Sequence, residues 1–442
     1  MPAAFQLSSL LSACASRLAG DRLVRNLGWY GAAELTARLS RLLATVILAR
    51  HLGATELGIA AIAITCFELI RVLTNNGIGQ FVVRAASDRL DATCNAAYRA
   101  SWFVCGTAFV FQIVAGALIA HVCGRSDLFA MIVCLAGVYV LMVPGLLPVY
   151  LLMRNGRIKA IAGVGVAQVA IDNLLTAAFA IAGFGAWAIV LPKLLTAPIW
   201  LIGVRRCQTW HQKPAAGYVD SHELIRFTVP ILGSEILAAA RVNLDKLVVW
   251  GMLGVDALGI YYFAFNAGIG FSLALTSALS TSLYPELAKL AGAPKEMRDR
   301  YDSAIRKTAL PIAGVIVAQA AVCFVYVPLV FGPRWQDAVT LVALLCLSAA
   351  TKPFFDSGAQ LLRAADRPAA ELAAALLLTF LTLAALAIGL TRDLTTGVAL
   401  FAMASMALQA LLAFWARDFV NPRDIDPTPQ TPRSHVTQSM GA

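Results

Sequence analysis

Leu52-Gly53-Ala54-Thr55-Glu56-Leu57-Gly58-Ile59 is echoed 201 positions later by Leu253-Gly254-Val255-Asp256-Ala257-Leu258-Gly259-Ile260. Each octamer follows an apolar run of helical length and precedes another, so each reads as a short turn between two membrane helices. At the same offset Glu34 falls on Glu235, inside the run that leads into each turn. The chain therefore reads as two related halves. Internally duplicated membrane bundles with ionisable residues at mid-depth are a pattern of transporters.

Composition agrees with that reading. Of 442 residues, 59% are hydrophobic and only 14% charged, and the mean hydropathy is +0.74. So little charge cannot solvate a soluble domain of this size. Apolar runs of about 20 residues recur from end to end and identify an all-α polytopic membrane protein. Twelve spans are expected, near 28–49, 57–78, 100–122, 128–153, 160–182, 184–204, 226–252, 257–283, 308–331, 338–361, 369–390 and 396–416. An even number puts both ends on one side. The segments on that side carry 24 of the 35 Lys and Arg residues, against Arg50, Arg125, Arg334 and Arg392 on the other. This bias places both termini in the cytoplasm. The formal charge of +10 then reports topology and gives no reason to expect a nucleic-acid partner.

The expected organisation is an amphipathic cytoplasmic segment (1–25), an N-lobe of six helices (26–204), a linker (205–225), a C-lobe of six helices (226–416) and a disordered tail (417–442). Pro214, Gly217, Arg205, Arg206 and Lys213 make 205–226 read as a flexible hinge. A charged amphipathic helix is expected over 285–307, with Pro285 near its start. Short outward loops leave no room for an extracytoplasmic catalytic domain. Pro144, Pro148, Pro192, Pro198 and Pro230 fall inside spans, where they mark either bending points or fixed kinks. The nine cysteines show no paired spacing, so neither a disulfide framework nor a metal site is expected. Leu11-Ser12-Ala13-Cys14 reads as a chance match to a lipoprotein box, and no secretory signal is expected. No Walker motif is present, and no cofactor is expected.

Ionisable residues inside the spans carry the functional signal. The bases are Arg38, Arg41, Arg71, Lys193, Arg241, Lys246 and Lys352; the acids are Glu34, Glu68, Asp172, Glu235, Asp245 and Asp356. Each costs about 2.5–3.5 kcal/mol at a helix centre, so they must face a shared interior. Glu34, Arg38, Arg41 and Thr45 form one stripe along the first helix. Glu34–Arg38, Arg241–Asp245 and Lys352–Asp356 are spaced i,i+4, and Glu68–Arg71 i,i+3. These read either as internal ion pairs or as cavity contacts. Arg41, Lys193 and Lys246 have no acid three or four residues away. Unpaired cations at mid-depth predict an anionic ligand or an acid from another helix. Gln168, Asp172, Asn173 and Asn243 are further polar groups, suited to sugar hydroxyls, an ion or helix packing.

These residues also carry a resemblance. Asn26-Leu27-Gly28-Trp29, Arg38, Ile47-Leu48-Ala49-Arg50 and Leu52-Gly53…Leu57-Gly58 look like the start of bacterial polysaccharide flippases. Arg154-Asn155-Gly156-Arg157 is similar to that family's short basic inner loop. Phe227…Pro230, Asn243-Leu244-Asp245-Lys246 and Leu258-Gly259-Ile260-Tyr261 resemble the start of its second lobe. The family is the Wzx-type oligosaccharide exporters of the multidrug/oligosaccharidyl-lipid/polysaccharide (MOP) superfamily, and the resemblance covers about residues 22–365.

The resemblance implies two pseudo-symmetric six-helix lobes around a central cavity, as in multidrug (MATE-type) exporters, and alternating access. It implies a polyprenyl-pyrophosphate-linked oligosaccharide as substrate, membrane lipid around it, and a polysaccharide polymerase and export machinery as partners. The place of work is the bacterial cytoplasmic (inner) membrane, the product surface or exopolysaccharide, lipopolysaccharide included. Head-group contacts fall most readily on Arg38, Arg41 and Lys246; Arg71, Lys193, Arg241 and Lys352 follow from their charge and depth. Glu34, Asp172, Glu235, Asp245 and Asp356 are candidates for ion coupling or cavity pairing. The chain is expected to be a transporter, not an enzyme. A cation-coupled multidrug exporter is the alternative, and it calls for an acid-dominated cavity. A membrane-embedded transferase would need a nucleophile or a His/Asp site, which the sequence does not offer.

Overall fold

Breaks in the helices, more than the helices themselves, give this chain its form. The computed structural model describes residue 37, residues 40–290 and 293–419, and among them there is no β-strand. Among the described residues ten stretches are long and apolar enough to cross a membrane. The first expected span is described only in part, as α1 (residues 40–51). It is followed by α2 (Ala54–Arg71), α3 (Ile78–Arg84), α4 (Leu90–Cys123), α5 (Ser126–Arg154), α6 (Ile158–Ile181) and α7 (Trp187–Cys207).

The next run, Ser221–Ala288, is broken at Gly254, which has φ 84° and ψ −168°. Only glycine adopts that conformation without strain. The break makes two helices of one run, α8 before it and α9 after it, and so accounts for the seventh and eighth expected spans. The chain continues as α10 (Pro294–Ala304), α11 (Leu310–Tyr326), α12 (Val339–Ala350), α13 (Lys352–Ala364), α14 (Pro368–Leu390) and α15 (Leu394–Phe419). The tenth expected span is thus split between α12 and α13. Pro353, in the first turn of α13, has no N–H to offer the preceding turn. Residues 1–25, Glu34, Arg38 and the end of the tail, for which the sequence raised expectations, lie outside the described residues.

Two compact units result. One comprises the described residues up to Asn266 together with Tyr326–Ala338; the other comprises Ala267–Val325 and the described residues from Val339 on. In the first, α5 packs on α4, α7, α3 and α2. Its Leu128, Ile132, Leu135 and Tyr139 recur at helical spacing and are fully buried. Polar groups inside are paired, as burial demands: Tyr139 donates to Gln112 Oε1 (2.6 Å), and Gln112 Nε2 donates to the Ile132 carbonyl (2.9 Å). In the second unit, α15 packs on α14, α13 and α12. Its first turn is capped by Asp393, which accepts hydrogen bonds from the Thr396 N–H (2.7 Å) and hydroxyl (2.8 Å). Those bonds, the backbone one first, hold the Asp393 carboxyl below its ordinary value.

Two local expectations are corrected. The charged helix starts at Pro294, not near Pro285, which lies in the last turn of α9. Proline suits a first helical turn because the N–H there has no partner to lose. The segment after α7 is also pinned, not free. The buried Asn95 on α4 donates to the carbonyls of Lys213 (2.7 Å) and Gly217 (2.9 Å) and accepts the Lys213 N–H (3.2 Å). Lys213 pairs with Asp91 at 2.9 Å, and the Arg99 guanidinium lies 4.6 Å from the Tyr218 ring centre.

Candidate functional site

The first unit holds a cavity of about 280 Å³. Helical spacing selects what lines it. Arg41, Ala44, Thr45 and Leu48 present one face of α1, and Val169, Asp172, Asn173 and Thr176 one face of α6. From α2 come Leu57, Ile64 and Glu68, from α7 Ile189 and Lys193, and from α9 Tyr262, Phe263 and Asn266. The wall is mixed: apolar stems with a few convergent polar groups, as in small-molecule sites generally.

Four of the lining residues carry charge. Lys193 Nζ lies 2.5 Å from Asp172 Oδ2. Its partner therefore comes from another helix, 21 residues away, where spacing along α7 shows none. The Lys193 side chain is 36% exposed and that of Asp172 only 10%. Asp172 Oδ1 is buried without a hydrogen-bond partner. Glu68 is held by Arg71 at 2.7 Å, the i,i+3 pair that the spacing suggested. That leaves Arg41. It is exposed to the cavity, and among the described residues no carboxylate pairs with it. Beside it, Asn173 donates to the Ser40 hydroxyl (3.0 Å), which donates to the Ala37 carbonyl (2.9 Å), fixing α6 against α1.

The other described residues selected from the sequence do not line this cavity. Lys246 is buried and well provided for. Its ammonium donates to the Val242 carbonyl (2.7 Å), lies 3.4 Å from Asp245 and sits 4.6 Å from the Phe265 ring centre. A buried cation needs such compensation. The expected Arg241–Asp245 pair does not form. Tyr261 donates to Asp245 Oδ2 (2.7 Å), and with Lys246 it occupies that carboxylate. Arg241 and Glu235 are half-buried, and among the described residues neither has an ion-pair partner. Lys352 and Asp356 do pair, at 3.1 Å, but in the second unit. Arg38 and Glu34 lie outside the described residues.

Three polar lining residues were not singled out from the sequence: Thr176, Tyr262 and Asn266. Gly259, Tyr262 and Asn266 fall at i, i+3 and i+7 on α9. The signal was therefore present in the second octamer, continued along the face of its glycine.

A family model described as a polysaccharide biosynthesis protein matches residues 47–340. The lipopolysaccharide biosynthesis protein WzxC of Escherichia coli (strain K12) is 23% identical over 191 residues, 43% of this chain. That match spans 39% of the relative's own length. Among solved structures, an inward-facing MATE family multidrug resistance transporter of the MOP superfamily superposes with a TM-score of 0.69 at 14% identity, over 87% of this chain and 94% of that one. The lipid II flippase MurJ, in an inward closed conformation, superposes with a TM-score of 0.70 at 11% identity, over 88% of this chain and 87% of that one. Likenesses at such identities show the fold: an all-helical membrane fold of the MOP type. With its family model covering well over half of its residues, the chain belongs to the polysaccharide biosynthesis protein family.

Proposed function

We propose that this chain is a flippase that carries polyprenyl-pyrophosphate-linked oligosaccharide repeat units from the cytoplasmic to the outer leaflet of the bacterial inner membrane, for surface or exopolysaccharide synthesis. The observation that carries the reading is the charge state of the cavity. Its two acids among the described residues, Glu68 and Asp172, are each taken by a cation, Arg71 and Lys193. Arg41 remains as the cation without a carboxylate among the described residues. A guanidinium in a partly desolvated cavity fits a phosphate through two parallel hydrogen bonds. Thr45, Asn173, Tyr262 and Asn266 offer the neutral donors and acceptors that sugar hydroxyls need.

In this reading the head group enters from the cytoplasmic side and meets Arg41, while the polyprenyl tail stays in lipid. The two lobes read from the sequence, 26–204 and 226–416, then rock to open outward. An inside-negative potential favours outward movement of an anion by about 2.3 kcal/mol per charge per 100 mV. A multidrug exporter would need an uncompensated acid for an organic cation, and both acids that line this cavity among the described residues are paired.

Export complementation tests the reading. A strain lacking the gene expresses the wild-type chain, Arg41→Lys or Arg41→Ala at matched membrane levels. A charge-assisted bond is worth about 1.5–3 kcal/mol, so Arg41→Ala should lower surface glycan by roughly 10- to 100-fold and accumulate the lipid-linked unit inside. Arg41→Lys should retain part of the export. Full export by Arg41→Ala would remove the observation on which the reading stands.

A further inference from the structure

Residues 327–338 follow α11 in sequence, yet they belong to the first unit. They form a short wide turn (Val327–Phe331), Gly332, and a tight turn (Pro333–Ala338). What holds them is the C-terminal end of α1, whose last carbonyls have no partner within the helix. Trp335 Nε1 donates to the Ala49 carbonyl (2.7 Å), and the Arg334 guanidinium to the Leu52 carbonyl (3.1 Å). In return the Arg50 guanidinium donates to the carbonyls of Val330 (2.8 Å) and Leu329 (3.2 Å). Arg50 and Arg334 are two of the four basic residues on the side that the charge bias marks as outward. Neither pairs with an acid among the described residues; both clasp backbone.

The clasp backs directly onto the cavity. Ala49 and Phe263 line the cavity, and the Trp335 ring stacks on Phe263 with centres 4.0 Å apart. Phe331 meets Phe263 edge-on at 5.3 Å. At the same end the two octamers cross. A Cβ at Gly58 would overlap the Val255 carbonyl, and one at Gly259 the Ala54 carbonyl. These contacts are reciprocal, since Gly58 and Gly259, and Ala54 and Val255, are equivalent in the repeat. Across the exposed rim Thr55 Oγ1 donates to Asp256 Oδ1 (2.5 Å), again equivalent positions.

We propose that residues 327–338 are a strap that, with the Gly58/Gly259 crossing, seals the outward mouth of the cavity, and that release of the Arg50, Arg334 and Trp335 clasps is the step that opens it. The side assigned to the strap rests on the topology in the functional reading above. The need for glycine at both crossing positions follows: the seal closes only where two backbones can touch.

Labelling from outside tests this without any substrate. The full-length chain, with its native cysteines replaced and Thr45→Cys in the cavity, is treated with a membrane-impermeant maleimide on spheroplasts. Combining Arg50→Gln with Arg334→Gln should raise labelling of that cysteine several-fold at equal protein level, and so should Gly259→Ala. Unchanged labelling in the double variant overturns the proposal. Should Gly259→Ala not accumulate, the pair Thr55→Cys and Asp256→Cys decides. After oxidation and blocking of unreacted pairs, the cross-linked form should lose outside labelling at Thr45→Cys, and reductant should restore it. No cross-link, or labelling that persists through it, counts against the strap. Because labelling is independent of export, a chain that seals as described yet moves no glycan leaves the strap intact and removes only the functional reading.

Discussion

Lys193 and Arg41 face the same cavity, yet their removal should have different consequences. Lys193→Ala leaves Asp172 with neither oxygen paired, since Oδ1 already has no partner. Breaking a fully buried pair costs about 3–5 kcal/mol. Lys193 is partly exposed, so about 1–3 kcal/mol is expected here. Thermal unfolding of the purified protein should show the loss, and Asp172→Asn combined with Lys193→Gln should recover most of it. A double variant no more stable than Lys193→Ala would mean that the pair does not govern stability. Arg41→Ala, with no carboxylate to abandon among the described residues, should leave unfolding nearly unchanged while impairing export.

The same two residues show what a sequence can reveal. Arg41 was legible because a stripe on one helix is a local property, fixed by the 3.6-residue period. The Lys193–Asp172 pair was not, because its members lie on different helices and spacing along one helix says nothing of its neighbour. Lys246 misled for a related reason. Its compensation comes from an adjacent residue, a carbonyl and an aromatic face, none of which falls at i±3 or i±4 as an acid.

Helices were legible wherever hydropathy speaks, and so was the turn at Gly254, which lies in the second octamer; the break at Pro353, inside the single expected span 338–361, was not read, although proline carries its geometry in its chemistry. Nor was the segment after α7 legible. Its composition suggests freedom, but Asn95, 118 positions upstream of Lys213, takes three of its backbone groups. Each such bond is worth about 0.5–1.5 kcal/mol net. Asn95→Ala should therefore loosen 208–220 and make that stretch several-fold more sensitive to limited proteolysis of the purified protein. Equal cleavage of variant and wild type would show that the clasp does not hold the segment in solution.

Duplication ties these features into one molecule. The repeat read in two octamers reappears as reciprocal glycine contacts, and the cavity opens immediately beside them, lined by Leu57 from one half and Tyr262 from the other. The proposed seal at one end, and within the cavity a cation with no carboxylate partner among the described residues, are what a carrier of an anionic head group would need. The central claim is that this chain alone moves such a lipid across a bilayer. The measurement is therefore made on the purified protein in liposomes loaded with a fluorescent polyprenyl-pyrophosphate disaccharide, following the fraction of label reached by an impermeant quencher. The account predicts that label initially in the inner leaflet becomes reachable far faster than in protein-free liposomes, and that Arg41→Ala slows this by roughly 10-fold or more. A rate equal to that of protein-free liposomes would contradict it.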